Sequence, residues 1–425
     1  MQGNPQNEPS KAKVPLMPTS LPVTGNTERT MPENRAFYPA LDGLRAIAFL
    51  MVFFQHYYSI PWGWTGVNIF FVLSGFLITG ILFDSRNDAH RARNFYIRRT
   101  LRIFPLYYGV FFAILLLEPI FHWRWSLDWL AWPLYFANYL RFVSPDFMSV
   151  GTPLQLASNG MLKTPLAPQL TLYLGHFWSL CIEEQFYLIW PWVVFSVRSR
   201  RALLWICASV VVLAPLLRIV AQDHAPNWML EGELLYRATP FQLDALLVGG
   251  LVALLLRGQR TGKVFEISAI IALFATFIGA FFLFVGILRA YPNWRAGYGY
   301  GAWKFTWGLS FVDLFAAAII VCALKPSSPI YRLLSLRPLR WIGRISYGAY
   351  VFHDIFHGIY RMVVAAVGTQ SQFVANHAEE FVLLLGLTCT LLLSWLSFRF
   401  FESAFINLKE RWTIPEHGSA LNPES

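Results

Sequence analysis

Residues 66–83 read GVNIFFVLSGFLITGILF, eighteen positions without a single charge. A run of that length matches the hydrocarbon core of a bilayer, and no soluble domain needs it. Working outward, the same pattern returns at 41–60, 103–118, 177–197, 202–221, 241–256, 264–288, 305–324, 341–365 and 379–401. Ten spans predict an all-α fold, a polytopic membrane helix bundle. Composition agrees: of 425 residues, 56% are hydrophobic and 14% charged, against about 45–50% and about 25% in soluble proteins. Seventeen Trp, 18 Tyr and 37 Phe exceed the needs of one compact core and suit membrane interfaces.

A net charge of +10 raises the question of nucleic acid, but the 34 Lys and Arg gather in short loops between the spans. The expected partners there are membrane lipids, and no nucleic acid is expected. With a cytoplasmic N-terminus, inner loops carry sixteen Lys or Arg between Arg86 and Arg340, and outer segments carry seven. That bias predicts an N-in, C-in orientation. The stretch Asp128–Phe142 (DWLAWPLYFANYLRF) is apolar yet holds Pro133, Asn138 and Arg141, and it reads as interfacial or re-entrant. An eleventh full span would invert everything after it.

The chain divides into a Pro-rich polar segment at 1–36, a membrane domain at 37–408 and a tail at 409–425. The first segment has no apolar core of a signal peptide and is expected to be a disordered cytoplasmic tail, with the last segment also cytoplasmic. Cys181, Cys207, Cys322 and Cys389 lie in apolar runs without metal-ligand spacing, so neither a disulfide framework nor a metal site is expected. No internal repeat, phosphate loop, dinucleotide fingerprint or HExxH is present.

Ionisable side chains inside spans are costly and mark functional candidates unless they pair structurally. Arg45 and His56 stand eleven residues apart on the first span, which returns them to one face about 16 Å apart along the axis. A neutral imidazole suits removal of a proton from an attacking hydroxyl, so His56 is the candidate general base. Asp42 at i, i+3 offers Arg45 a structural partner instead. Tyr57, Tyr58 and Trp62 read either as an acceptor lining or as an interfacial belt. Arg98, Arg99 and Arg102 open the third span with forked donors that fit a phosphate-bearing ligand or anionic lipid heads.

His176 precedes Glu183 by seven residues, two helical turns, so the two are expected to face one cavity. The alternative for Glu183 is a charge pair with Arg237 or Arg45. Asp244, His353, Asp354 and Glu402 are weaker candidates singly, and together they suggest a polar chamber. Gly66, Ser74, Gly75, Gly80, Gly249 and Gly250 read as close helix packing.

Several strings combine into one pattern: LDGLRA at 41–46 with the Arg45/His56 spacing, NIFFVLSGFLI at 68–78, and Arg99-x-x-Arg102 before PLYY at 105–108. To these add WSL at 178–180 with EEQFY at 183–187, and ISY at 345–347 with His353. From about residue 37 to 408 the chain resembles the acyltransferase 3 family of bacterial membrane O-acyltransferases. The resemblance implies a ten-helix enzyme of the bacterial inner membrane. Such an enzyme moves an acyl group, usually acetyl, from cytosolic acyl-CoA to a hydroxyl of a surface polysaccharide, lipopolysaccharide or related glycan or glycolipid. Acyl-CoA, here acetyl-CoA, is then a donor substrate, and no permanently bound cofactor is implied.

Arg45 and His56 match the family's Arg-x10-His pair, and Arg99 with Arg102 matches its donor-associated Arg-x-x-Arg. The chain departs from the pattern at Asn68, Gln242 and Ala404, where the family often has Asp, Arg and Pro, and Gln242 puts the role of Asp244 in doubt. On this reading the CoA phosphates sit at Arg98, Arg99 and Arg102, and the pantetheine arm passes Arg45. The thioester then meets His56, with Glu183 or His176 orienting or relaying the proton. Direct transfer and a covalent acyl-enzyme both stay open. Because the sequence ends at Ser425, soon after the last span, a second transfer outside is expected to need a separate protein. Competing readings are a transporter or flippase for a glycolipid or small metabolite, a scaffold that keeps the fold, and acylation of a secreted small molecule.

Overall fold

The computed structural model describes residues 38–60, 62–166, 170–231, 233–258, 262–271, 274 and 305–414. The expected N-terminal tail, most of the tail at 409–425 and most of the span at 264–288 lie outside the described residues. The principal helices are α1 (Pro39–Tyr58), α2 (Thr65–Asp84), α3 (Arg91–Leu116), α4 (Trp178–Ser196), α5 (Arg200–His224), α6 (Leu243–Leu255) and α7 (Trp307–Leu324). They are followed by α8 (Arg337–Arg344), α9 (Ser346–Phe352), α10 (His357–Gly368), α11 (Ala378–Leu396) and α12 (Ser403–Trp412), the last two joined by a π turn at Ser397–Glu402. The one departure from an all-helical fold among the described residues is a two-stranded antiparallel sheet, β1 (Met161–Lys163) with β2 (Thr171–Tyr173).

Among the described residues five helices are long and apolar enough to cross a membrane: α2, α3, α5, α7 and the continuous Ala378–Trp412 unit. α2 forms the centre, with 72% of its apolar window buried, whereas α3, α5 and Ala378–Trp412 bury only 22–33%. The outer helices instead expose large apolar side chains such as Phe112, Trp205, Leu213 and Leu392, the surface that lipid covers at no cost.

Small residues let α2 and α6 approach closely. A Cβ on Gly75 would stand 1.7 Å from the Leu246 carbonyl oxygen, and one on Gly249 would stand 1.9 Å from that of Val72. Beside this crossing, Arg218 of α5 donates two bonds to Asp244 of α6, at 2.9 and 2.6 Å, with both side chains fully buried. Ser310 of α7 donates to the same carboxylate at 2.6 Å. Asn68 donates to Asp313 at 2.8 Å and to Gln242 at 3.4 Å. Asp244 therefore has a structural partner, which the sequence pattern at Gln242 left open.

Two expected spans take another form. The span at 241–256 is realised as the thirteen-residue α6. Asp128–Phe142, expected to be interfacial or re-entrant and not a span, holds 3-10 turns at Leu127–Ala131 and Ala137–Phe142, and no helix of spanning length lies there. The span at 341–365 is broken into α8, α9 and α10. Its break around 353–356 survives because its carbonyl oxygens find other donors: Tyr57 Oη bonds His353 O at 2.8 Å and Tyr173 N bonds Ile355 O at 3.1 Å. Non-helical backbone is stable at membrane depth only when protein groups satisfy it in this way.

Candidate active site

α1 carries functional groups at both ends. At its start, Arg45 Nη1 bonds Asp42 Oδ1 at 3.0 Å, the i, i+3 pair expected from spacing. Arg45 also lines a cavity with Arg99, Arg102, Glu183, Glu184 and Tyr187. Arg45 is therefore paired with Asp42 and open to the cavity at once. Arg99 lies over the Tyr187 ring with its guanidinium carbon 4.3 Å from the centroid. Glu183 accepts a 2.5 Å bond from Ser74 Oγ, so Ser74 is a donor in the cavity wall and not merely a small packing residue.

At the other end of α1, His56 lines a second cavity with His176, Asp354, Glu233 and Arg237, walled by Trp64, Trp178 and Tyr236. Val67 and Tyr350 belong to both cavities, so the two chambers lie back to back. Tyr350 is fixed there by its hydroxyl, 2.5 Å from Ser179 Oγ and 3.1 Å from the His176 carbonyl oxygen. A mixed apolar and polar lining of this kind suits a small polar substrate.

Four imidazoles gather at one carboxylate. Asp354 Oδ2 is 3.3 Å from His56 Nδ1 and 3.9 Å from His176 Nδ1, while Oδ1 is 3.3 Å from His357 Nδ1. The His353 ring centroid lies 5.0 Å from that of His56 and 4.5 Å from that of His176. His176 sits in the turn Gly175–Phe177 ahead of α4, outside the spans. Burial pushes its pKa down to about 4, against the opposing pull of Asp354.

The predicted site residues divide between the chambers. Arg45, Arg99, Arg102 and Glu183 share the first, and His56 and His176 share the second. The expectation that His176 and Glu183 face one cavity is thus corrected, because α4 begins only at Trp178 and helical spacing does not extend back to His176. Arg98 is not among the residues lining either chamber. Arg237 pairs with Glu233 at 2.6 Å, not with Glu183. Tyr57 is buried, stacks on His357 at 4.3 Å and lines neither chamber. Asp354 and His353, weak candidates by sequence, stand at the centre. Arg218 and Asp313 were not singled out at all, although a charged residue in an apolar run was the available signal.

A family profile described as an acyltransferase domain matches residues 38–399. The chain is 31% identical over 388 residues to the putative peptidoglycan O-acetyltransferase YrhL of Bacillus subtilis, covering 87% of this chain and 55% of that protein. It is 29% identical over 388 residues to the peptidoglycan O-acetyltransferase OatA of Listeria monocytogenes, covering 88% and 57%. A putative O-acetyltransferase of Staphylococcus aureus is 28% identical over 391 residues, covering 87% and 57%. The chain thus spans little more than half the length of these relatives. No solved structure matches it.

Proposed function

The chain belongs to the acyltransferase 3 family, and from that premise we propose that it moves an acetyl group from cytosolic acetyl-CoA to a hydroxyl of a cell-surface glycan. The observation that carries this reading is the pair of back-to-back chambers, arginine-lined on one side and histidine-lined on the other, with Tyr350 and Val67 common to both. A charged donor and an acceptor on the opposite side of the membrane need such a divided passage. Peptidoglycan, the acceptor in the names of two relatives, is the first acceptor to test.

In the proposed reaction Arg99 and Arg102 hold the CoA phosphates through charge-assisted bonds, and the pantetheine arm runs past Arg45 and Glu183. The acceptor hydroxyl enters the second chamber, where His56 takes its proton as the oxygen attacks the thioester carbonyl. The C–S bond then breaks, and the CoA thiolate collects the proton from His56. Holding both reactants at the shared wall removes the entropic cost of their encounter.

His56→Gln should lower acetyl transfer from labelled acetyl-CoA in membrane vesicles by about 100-fold or more while CoA binding persists. Unchanged transfer would remove His56 as the base. Comparing O-acetyl content of cell-wall glycan with and without the protein tests the acceptor, and an unchanged content would exclude peptidoglycan.

A further inference from the structure

We infer that Asp354 is the positioning residue for His56: its carboxylate takes the His56 Nδ1 proton in a hydrogen bond and so leaves the Nε2 lone pair to act as base. The inference rests on His56 being the base, and it follows from accounting for each imidazole around the carboxylate. A neutral imidazole has one N–H and one lone pair, and its partners decide which nitrogen holds the proton. His176 Nε2 lies 3.0 Å from the Val351 carbonyl oxygen, which can only accept, so its proton is on Nε2. Its Nδ1, facing Asp354 at 3.9 Å, then has no proton to give and is without a hydrogen-bond partner.

His353 is spent in the same way. Its Nδ1 lies 2.7 Å from the Tyr350 carbonyl oxygen and its buried Nε2 is unpartnered. His357 Nε2 accepts from Arg361 at 3.3 Å, which puts its proton on Nδ1, aimed at Asp354 Oδ1. That bond clasps one oxygen of the carboxylate. The other oxygen, Oδ2, is left for His56 Nδ1 at 3.3 Å.

Among the described residues the ion-pair partners of Asp354 are all imidazoles, with no Lys or Arg in reach. A buried carboxylate so placed is best compensated by an imidazole that becomes positive during the reaction. The carboxylate is also held still. Its segment is tied by Tyr57 Oη at His353 O and by Tyr173 N at Ile355 O, so it can orient a ring without itself moving.

The test uses the full chain in nanodiscs, with kcat, KM for acetyl-CoA and acetyl-CoA binding measured for each variant. Asp354→Asn should lower kcat by about 100-fold or more and leave KM within about twofold, because it disturbs the base and not the donor site. In His56→Ala the further change Asp354→Asn should cost nothing more, since the carboxylate acts through that ring. Asp354→Glu should recover about tenfold over the Asn variant while staying about tenfold below the parent.

A kcat in Asp354→Asn near that of the parent overturns the inference, and so does an equal loss on adding it to His56→Ala. If the Asn variant fails to bind acetyl-CoA, the Glu variant decides, and an unchanged kcat there overturns it. Activity surviving His56→Ala would instead strike the base assignment itself. An inactive His56→Ala beside a fully active Asp354→Asn would strike only the role of Asp354.

Discussion

Arg99 presents a planar cation over Tyr187 while lining the same cavity as Arg45 and Arg102. A lysine there keeps the charge and loses both the stacking and the fork that matches a phosphate. Arg99→Lys should therefore raise KM for acetyl-CoA about tenfold, close to 1.4 kcal/mol, with kcat changed less than about threefold; steady-state kinetics on vesicles measures both. The residues legible in the sequence are those on uninterrupted helix. Arg45 and His56 sit on one continuous α1, so eleven residues translate directly into direction and distance. The spacing rule misplaced His176 relative to Glu183 because a turn, not a helix, joins His176 to α4. Asp354 escaped emphasis for a similar reason. Its position depends on a helix break whose backbone groups are satisfied by Tyr57 and Tyr173, partners far away in the chain, which no local pattern encodes.

The helices were read well where one apolar run makes one rod, as in α2, α5 and α7, and less well where tertiary bonds cut a run into pieces, as in α8 to α10. The α5–α6 contact shows why charge inside an apolar run can escape such a reading: Arg218 is neutralised by Asp244, which also accepts from Ser310, so the apolar pattern tolerates it. Removing one partner strands the other. Arg218→Met should destabilise the protein by about 3–5 kcal/mol, seen as a lower thermal midpoint in detergent, and Arg218→Met combined with Asp244→Leu should regain most of that loss. A double variant as unstable as the single one would show that Asp244 is needed for something besides pairing with Arg218. Acetyl transfer by a stable double variant would then separate packing from chemistry, because neither residue lines the two chambers.

Under the proposed donor assignment the two chambers impose a direction on the molecule, since acetyl-CoA is made in the cytosol and is too charged to cross a bilayer unaided. The arginine chamber must therefore open inward, the orientation that the distribution of Lys and Arg among the loops also favours. Two exposed positions test it. Asn87 lies between α2 and α3, and Ser149 lies in the segment after α3 that contains no helix of spanning length. With Cys389→Ser as background, since the other three cysteines are buried, Ser149→Cys should react with a membrane-impermeant maleimide on intact cells. Asn87→Cys should react only after permeabilisation. If Asp128–Phe142 crossed the bilayer, both sites would label from the same side. The reverse pattern would face Arg99 and Arg102 away from the cytosol, and the donor assignment would fail with it.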